Sequence, residues 1–197
     1  MTRGTAQTSV DDFVSNRAAL TLAFAWGFLE ATFFFIVPDV LLTLIACRAL
    51  KPALKATVAA LVGALAGGVL MYLLGAREPG YARFFLDHVP AISPALVTRV
   101  ASQVDEIGLM AVLLGPLKGI PYKIYAVEWG ARGGSFVAFM LISIPARYVR
   151  FFLTALIARG IAKLIVPLTN QRVSIEMLIL LVIWMTFYAF YFARFGW

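Results

Sequence analysis

Residues 18–47 read AALTLAFAWGFLEATFFFIVPDVLLTLIAC, an apolar stretch that contains two acidic residues, Glu30 and Asp39. An ionised carboxylate at hydrocarbon depth costs about 3 kcal/mol on insertion scales, and it persists only where it faces protein or trapped water. Pro38 divides the stretch, because proline lacks a backbone donor and disfavours helix at the preceding residue. The stretch therefore predicts a broken helix inside a membrane, with two acidic groups placed for transport, proton relay or ligand capture.

The composition also indicates a membrane protein. The chain of 197 residues is 62% apolar and 14% charged, with a mean hydropathy of +0.90, whereas soluble domains are about a quarter charged. The net charge is +7, but the basic residues are scattered at the ends of apolar segments. This distribution argues against a nucleic-acid partner and favours contact with membrane lipid. The single cysteine, Cys47, excludes an intrachain disulfide and a cysteine-based metal site.

Three further segments are apolar and long enough to cross about 30 Å of hydrocarbon. They lie at residues 56–74, 135–158 and 174–197. A fourth segment, residues 107–130, is interrupted in its middle by two lysines, a glycine and a proline. Interrupted apolar segments at matching places in two halves are typical of transporters built from a structural repeat, with the binding site where the breaks meet.

The sequence thus predicts an all-α integral membrane fold with an inverted repeat, in which each of two re-entrant helical hairpins precedes a transmembrane helix. The positive-inside rule places the N-terminus in the cytoplasm and the linker outside the plasma (inner) membrane. The predicted parts are a polar N-terminus at 1–17, a membrane domain at 18–173 with hairpins at 18–48 and 107–130, spans at 56–74 and 135–158 and an amphipathic linker at 76–106, and a C-terminal transmembrane helix at 174–197.

The first predicted span carries a spaced glycine motif, Gly63-x3-Gly67-x4-Tyr72-x2-Gly75, followed by Arg77. This spacing resembles the GxxxGxxxxYxxGR stretch of the DedA family, the bacterial branch of the VTT, or SNARE-associated, membrane proteins. We assign Gly63, Gly67, Tyr72 and Gly75 to structural packing, since small residues at helical spacing let a second helix come close.

Other segments are similar to the same family. Glu30 with Pro38-Asp39 resembles its membrane-embedded acidic pair, residues 118–130 resemble its second hairpin, and Arg147-Tyr148-Val149 matches a short branch. The second hairpin carries lysines where the family has an arginine-rich FxRFxPxxR pattern. The resemblance covers residues 20–160 and implies translocation of a lipid carrier or a phospholipid, tied to the proton-motive force.

The candidate site residues divide into acids and bases. We expect Glu30 and Asp39 to couple transport to protons or ions. The expected ligands of a substrate phosphate offer arginine's planar donor fork or lie at a helix break, where free N–H groups also favour anions. They are Arg147, Arg150, Lys118 and Lys123.

Structural interpretations of the same residues stay open. The role of Asp39 could be limited to capping the helix that follows it. The role of Glu30 could be limited to an ion pair with Arg147 or Arg150. The two arginines could snorkel towards the interface, and the lysines could mark a hairpin tip. We also expect Glu128 to pair with a lysine, and the aromatic run at 187–192 to face lipid.

These features predict a transporter that moves an anionic lipid, a polyprenyl phosphate or a phospholipid, between leaflets in a proton-coupled manner. The alternative is a proton- or cation-coupled transporter of a small solute or ion. An enzyme is disfavoured, because the chain has a single histidine, no Asp-rich metal motif and no Ser-Lys or Ser-His pairing. We therefore expect no catalytic residue, no metal and no cofactor, with membrane lipid as the partner; a homo-oligomer stays open.

Overall fold

The computed structural model describes residues 17–165 and 173–195, and these residues fold into α-helices without a β-strand. The predicted all-helical class is therefore confirmed for this part of the chain, whereas most of the predicted N-terminal segment 1–17 lies outside it. The helices are α1 Arg17–Thr32, α2 Asp39–Arg48, α3 Leu50–Arg77, α4 Pro79–Asp87, α5 Pro94–Ile107, α6 Leu109–Leu114, α7 Tyr122–Ala131, α8 Phe136–Ile165 and α9 Val173–Phe195.

Two of these helices, α3 and α8, are long and apolar enough to cross a membrane. Helix α3 has 28 residues and contains the predicted span 56–74, and α8 has 30 residues and covers the predicted span 135–158 except for its first residue. At 1.5 Å per residue both exceed about 40 Å, more than the thickness of the hydrocarbon core. These two helices favour association with a membrane. Helix α9 has 23 residues and covers most of the predicted C-terminal helix.

The apolar stretch that opens the chain is broken where the sequence predicts. Helix α1 ends at Thr32, and α2 begins at Asp39 directly after Pro38. Within the break, Trp26 Nε1 donates a hydrogen bond to the carbonyl oxygen of Ile36 at 2.9 Å. The Phe34 amide donates to the carbonyl of Leu29 at 2.8 Å. These bonds satisfy backbone groups that a continuous helix would have paired internally.

The second interrupted segment is broken as well. Helix α6 ends at Leu114, and a short 3₁₀ turn, Pro116–Lys118, precedes the start of α7 at Tyr122. Gly119 follows the turn with a φ of 83°, in the left-handed region that glycine adopts without strain. Pro121 then leads into α7, where its missing N–H removes no helical hydrogen bond.

The two halves of the chain exchange their packing partners. Helix α1 packs along α3 and α6 packs along α8, so the first helix of each broken segment lies against the long helix of its own half. Helix α2 instead packs on α8, and α7 packs on α3. The second helix of each broken segment therefore depends on the long helix of the other half.

Glycines lie at the closest helix contacts. A Cβ atom on Gly63 would lie 2.0 Å from the carbonyl oxygen of Phe24 in α1, and one on Gly75 would lie 2.2 Å from that of Val127 in α7. A Cβ on Gly67 would lie 2.7 Å from the carbonyl oxygen of another α1 residue. The three glycines thus let α3 touch α1 and α7 backbone to backbone.

Tyr72, the fourth residue of the glycine motif, is nearly buried between α3 and the start of α8. Its hydroxyl donates to the carbonyl of Gly134 at 2.6 Å, and its ring stacks against that of Phe139 with 5.5 Å between centroids.

The linker between the halves forms the two short helices α4 and α5. Ser93 caps the N-terminus of α5, because its Oγ accepts a hydrogen bond from the Leu96 amide at 3.2 Å. Four apolar residues of α5 are buried, but Ile107, which the spacing places on the same face, is 49% exposed. The chain turns at Gly108, whose φ is 55°, so the last residue of α5 does not follow the buried face.

The helix contact at Gly63 yields a stability prediction. Gly63→Ala should lower the free energy of unfolding by about 1–3 kcal/mol, because the added Cβ meets backbone that cannot move aside. The matched control is Gly160→Ala in α8, where a Cβ would enter open space. There the better helix propensity of alanine should leave stability unchanged or raise it by up to about 1 kcal/mol. Thermal unfolding of both variants in detergent, followed by circular dichroism, checks this; equal midpoints would contradict it.

Candidate functional site

A cavity of about 300 Å³ lies where the two helix breaks meet. The first break contributes Phe34, Phe35 and Val37 to its lining, and the second contributes residues from Pro116 to Pro121. Helix α8 and the aromatic face of α9 close two further sides. Charged side chains from three helices also line this cavity: Glu30, Lys123 and Arg150.

Two ion pairs join α8 to both halves of the first broken segment. Arg147 Nη2 donates to the carboxylate of Glu30 in α1, and Arg150 Nη2 donates to Oδ2 of Asp39 in α2 at 2.6 Å. The interpretation that Glu30 pairs with Arg147 or Arg150 is therefore confirmed, and Asp39 forms a second pair. Each arginine compensates the negative charge of its carboxylate in an apolar interior, where isolated ions are costly.

Arg147 is the most deeply buried cation of the site, with no exposed side-chain surface. Its guanidinium lies over the rings of Tyr122 and Phe151, at 5.1 and 4.8 Å from their centroids, which partly compensates its lost hydration. Its Nε and Nη1 atoms make no hydrogen bond to the described residues. The side chain therefore does not snorkel to an interface, and it lies in the protein interior without lining the cavity.

Asp39 lies at the start of α2 without capping it. The capping position is occupied by Pro38, and no side-chain capping bond is formed there. The Asp39 carboxylate instead lies in the first helical turn, where the helix dipole favours negative charge, and it accepts the bond from Arg150. Its other oxygen, Oδ1, is buried and makes no hydrogen bond to the described residues.

The two lysines of the second break have different environments. Lys123 is buried, with 2% of its surface exposed, and its Nζ donates to the carbonyl oxygen of Phe34 at 2.7 Å. Within the part of the chain that the structure describes, no carboxylate lies within ion-pair distance of Lys123. Lys118 is exposed at the end of the 3₁₀ turn and does not line the cavity. The structure thus brings Lys123 into the site and leaves Lys118 apart from it.

The charges around the cavity do not balance. The two carboxylates are each paired with one arginine, and Lys123 adds a third cation whose observed partner is a neutral carbonyl. Every member of this group is at least partly buried, so water screens the excess charge weakly. The arrangement is suited to hold an anion in the cavity.

Sequence reasoning missed the contribution of α9 to this site. The Tyr188 hydroxyl accepts a hydrogen bond from the Val37 amide in the first break at 2.8 Å, and Trp184 Nε1 donates to Thr43 Oγ1 in α2 at 3.0 Å. Because the run at 187–192 supplies Phe187, Tyr188 and Tyr191 to the cavity lining, the prediction that the run faces lipid is wrong for that face. The spacing of four between positions 184 and 188 was the available signal, since such residues share a helix face.

A second charged cluster lies away from the cavity, around Glu128 in α7. Glu128 is fully buried and accepts two hydrogen bonds from Arg83 at 2.8 Å and one from Arg132 at 2.6 Å. The expected lysine partner is therefore wrong. Arg132 also donates to Asp105 at 2.6 and 2.8 Å, and this lowers the pKa of that exposed carboxyl. The cluster fastens α4 and α5 to the second broken segment.

The fold and the site define an all-helical chain with two candidate membrane spans and a cationic cavity between two helix breaks. A similar chain is a protein of Haemophilus influenzae described as an uncharacterized protein, which is 26% identical over 157 residues. The similarity covers 79% of this chain and 80% of that one. No protein-family model and no solved structure matches the chain.

The Glu128 cluster yields a second stability prediction. Glu128→Gln should lower the free energy of unfolding by about 1–3 kcal/mol, because it removes the charge between two arginines at a buried position. Glu106→Gln is the matched control, since Glu106 is exposed on α5 and should tolerate the same change. Thermal unfolding of the two variants measures the difference. If Glu128→Gln unfolds at the same temperature as Glu106→Gln, the cluster does not stabilise the fold.

Proposed function

We propose that this protein is an integral membrane transporter that moves an anionic lipid, a polyprenyl phosphate or a phospholipid, between leaflets. The observation that supports this most directly is the excess positive charge at the cavity, where Lys123 is buried without a carboxylate partner. A phosphate is a strong hydrogen-bond acceptor for lysine and arginine. Lys123 and Arg150 both line the cavity and would bind the phosphate of the lipid head group.

The proposed architecture is an inverted repeat of two re-entrant hairpins in the plasma (inner) membrane, with the N-terminus in the cytoplasm. The exchange of packing partners between the halves supports it, since α2 on α8 mirrors α7 on α3. Binding sites in repeat-built transporters lie near the bilayer midplane, where broken helices meet. The sequence resemblance to the DedA family supports the same architecture and the same class of substrate.

Proton coupling follows from the Asp39–Arg150 pair in this proposal. With Asp39 ionised, one donor of Arg150 is held by Oδ2. Protonation of Asp39 weakens that bond and frees the Arg150 guanidinium for a phosphate in the cavity. Anion binding should therefore strengthen as the pH falls, and proton uptake and anion uptake favour each other by linkage. Glu30, held by Arg147, is the second coupling carboxylate.

A second candidate is a proton- or cation-coupled transporter of a small solute or ion. The cavity volume favours it, because about 300 Å³ is at the lower end of the range for ligand pockets. In this case Glu30 and Asp39 would hold the cation, and Lys123 would contribute little. The two candidates therefore differ in their dependence on Lys123.

The lysines provide a matched test. Lys123→Gln should lower the flux of a fluorescent lipid phosphate about tenfold or more, because it removes a charge-assisted hydrogen bond of about 1.5–3 kcal/mol. Lys118→Gln makes the same chemical change at an exposed site and should keep the flux of the wild type. The measurement is leaflet exchange in proteoliposomes at equal protein amounts. Equal flux in both variants would favour the solute candidate, and no lipid flux in the wild type would end the lipid proposal.

Asp39→Asn tests the coupling. The amide keeps the size of the side chain but cannot exchange a proton, so lipid flux should lose its response to an imposed proton gradient. Asp87→Asn is the control, because Asp87 is exposed on α4. The second coupling carboxylate, Glu30, is changed together with its partner, as Glu30→Gln with Arg147→Gln. A single change would leave the other charge of that pair buried alone. Flux of Asp39→Asn that still responds to a proton gradient as the wild type does would contradict coupling at this residue.

A further inference from the structure

A second cavity, of about 250 Å³, lies between α2, α8 and α9. Its walls include Cys47, Ile157, Ile161 and Ile183, and almost all of its lining is apolar. The hydroxyls that border it are already used, since Thr43 Oγ1 donates to the carbonyl of Val40 at 2.9 Å and accepts from Trp184. This apolar groove therefore offers space to a hydrocarbon group and few hydrogen bonds to a polar one.

The groove continues the charged cavity along helix α8. Arg150 and Leu153 line the charged cavity, and Thr154, Ile157 and Ile161 follow in the groove. Steps of three and four residues keep these positions on one face of the helix. This row of α8 residues, the α8 seam, therefore lines the charged cavity at its N-terminal end and the apolar groove at its C-terminal end.

Helix α9 shows the same succession in the opposite direction. Ile179 and Ile183 line the groove, and Phe187 and Tyr191 line the charged cavity. At 1.5 Å per residue, positions 179 to 191 span about 18 Å. Trp184 lines the groove and Tyr188 lines the charged cavity, and their hydrogen bonds hold α9 to α2 and to the first break.

We propose that the charged cavity and the apolar groove together bind one amphiphile lengthwise, with its phosphate at Lys123 and Arg150 and its hydrocarbon chain in the groove between α8 and α9. The proposal rests on the proposed function and specifies its substrate as a lipid phosphate whose chain is recognised together with the head group. Charge complementarity assigns the orientation, because Lys123 and Arg150 line the charged cavity, whereas no charged residue of the described part of the chain lines the groove. A free phosphate would use only the charged cavity.

The test uses a dodecyl phosphate that carries a photoreactive diazirine near the end of its chain, and the corresponding uncharged alcohol. Each probe is added to the full-length protein in liposomes, and the cross-linked residues are identified by mass spectrometry. The phosphate probe should label residues 157–162 and 179–184 about tenfold more than the alcohol, the ratio expected from one charge-assisted hydrogen bond. Lys123→Gln should reduce this ratio several-fold, because one of the two cations that bind the phosphate is lost.

Filling the groove should block the chain. Ala162→Phe places a ring in the groove from α8, and labelling of α9 by the phosphate probe should fall to the level of the alcohol. Leu164→Phe is the matched control, because Leu164 is 74% exposed and should leave labelling unchanged. Ile183→Trp fills the groove from α9 and serves if Ala162→Phe does not fold, with labelling then read on α8.

The outcomes separate this inference from the transport proposal. Equal labelling by phosphate and alcohol in the wild type would overturn the groove assignment, even if lipid flux still required Lys123. Labelling that survives both filling variants would overturn it too. Phosphate-dependent labelling of the groove without any lipid flux would support the bound amphiphile and end the transport proposal.

Discussion

Ions buried in an apolar interior need compensation by an opposite charge or by hydrogen bonds, and the ion pairs of Glu30 with Arg147 and of Asp39 with Arg150 organise this structure. Each pair connects a helix of the first broken segment to α8, so the two acids determine which surface of α8 faces inward. The α8 residues that line the charged cavity and the groove lie on one face of the helix. Two buried ion pairs with partners on different helices favour one register of α8, because another register would leave buried charges without their partners.

Much of this arrangement could be predicted from the sequence, because the signals were local and strong. A proline next to an acid in an apolar run indicates a break, and Pro38-Asp39 lies at one. The apolar run at 56–74 contains no charged residue, and it therefore predicted a long helix. The glycine spacing of that run predicted close helix contacts. The pairing of Glu30 with an arginine of α8 was among the interpretations that the sequence left open, because a buried carboxylate needs a compensating charge.

Other features depend on tertiary contacts that spacing does not encode. Lys118 and Lys123 look alike in sequence, but the left-handed turn at Gly119 leaves one outside and sends the other into the cavity. Arg83 reaches Glu128 across 45 positions, from a linker whose composition predicted only an interfacial helix. The inward face of α9 was hidden for a different reason, since aromatic residues suit a lipid surface and a cavity wall equally well.

The exchange of packing partners between the halves has a consequence for biogenesis. Glu30 precedes Arg147 by 117 positions, and Asp39 precedes Arg150 by 111. At about 5–20 residues per second, the ribosome needs roughly 6–25 s to add the partner after each acid has emerged. During that interval the nascent chain carries two acids without their arginines, and α2 has no α8 to pack on. We expect the first broken segment to reach its final packing only after α8 has been synthesised.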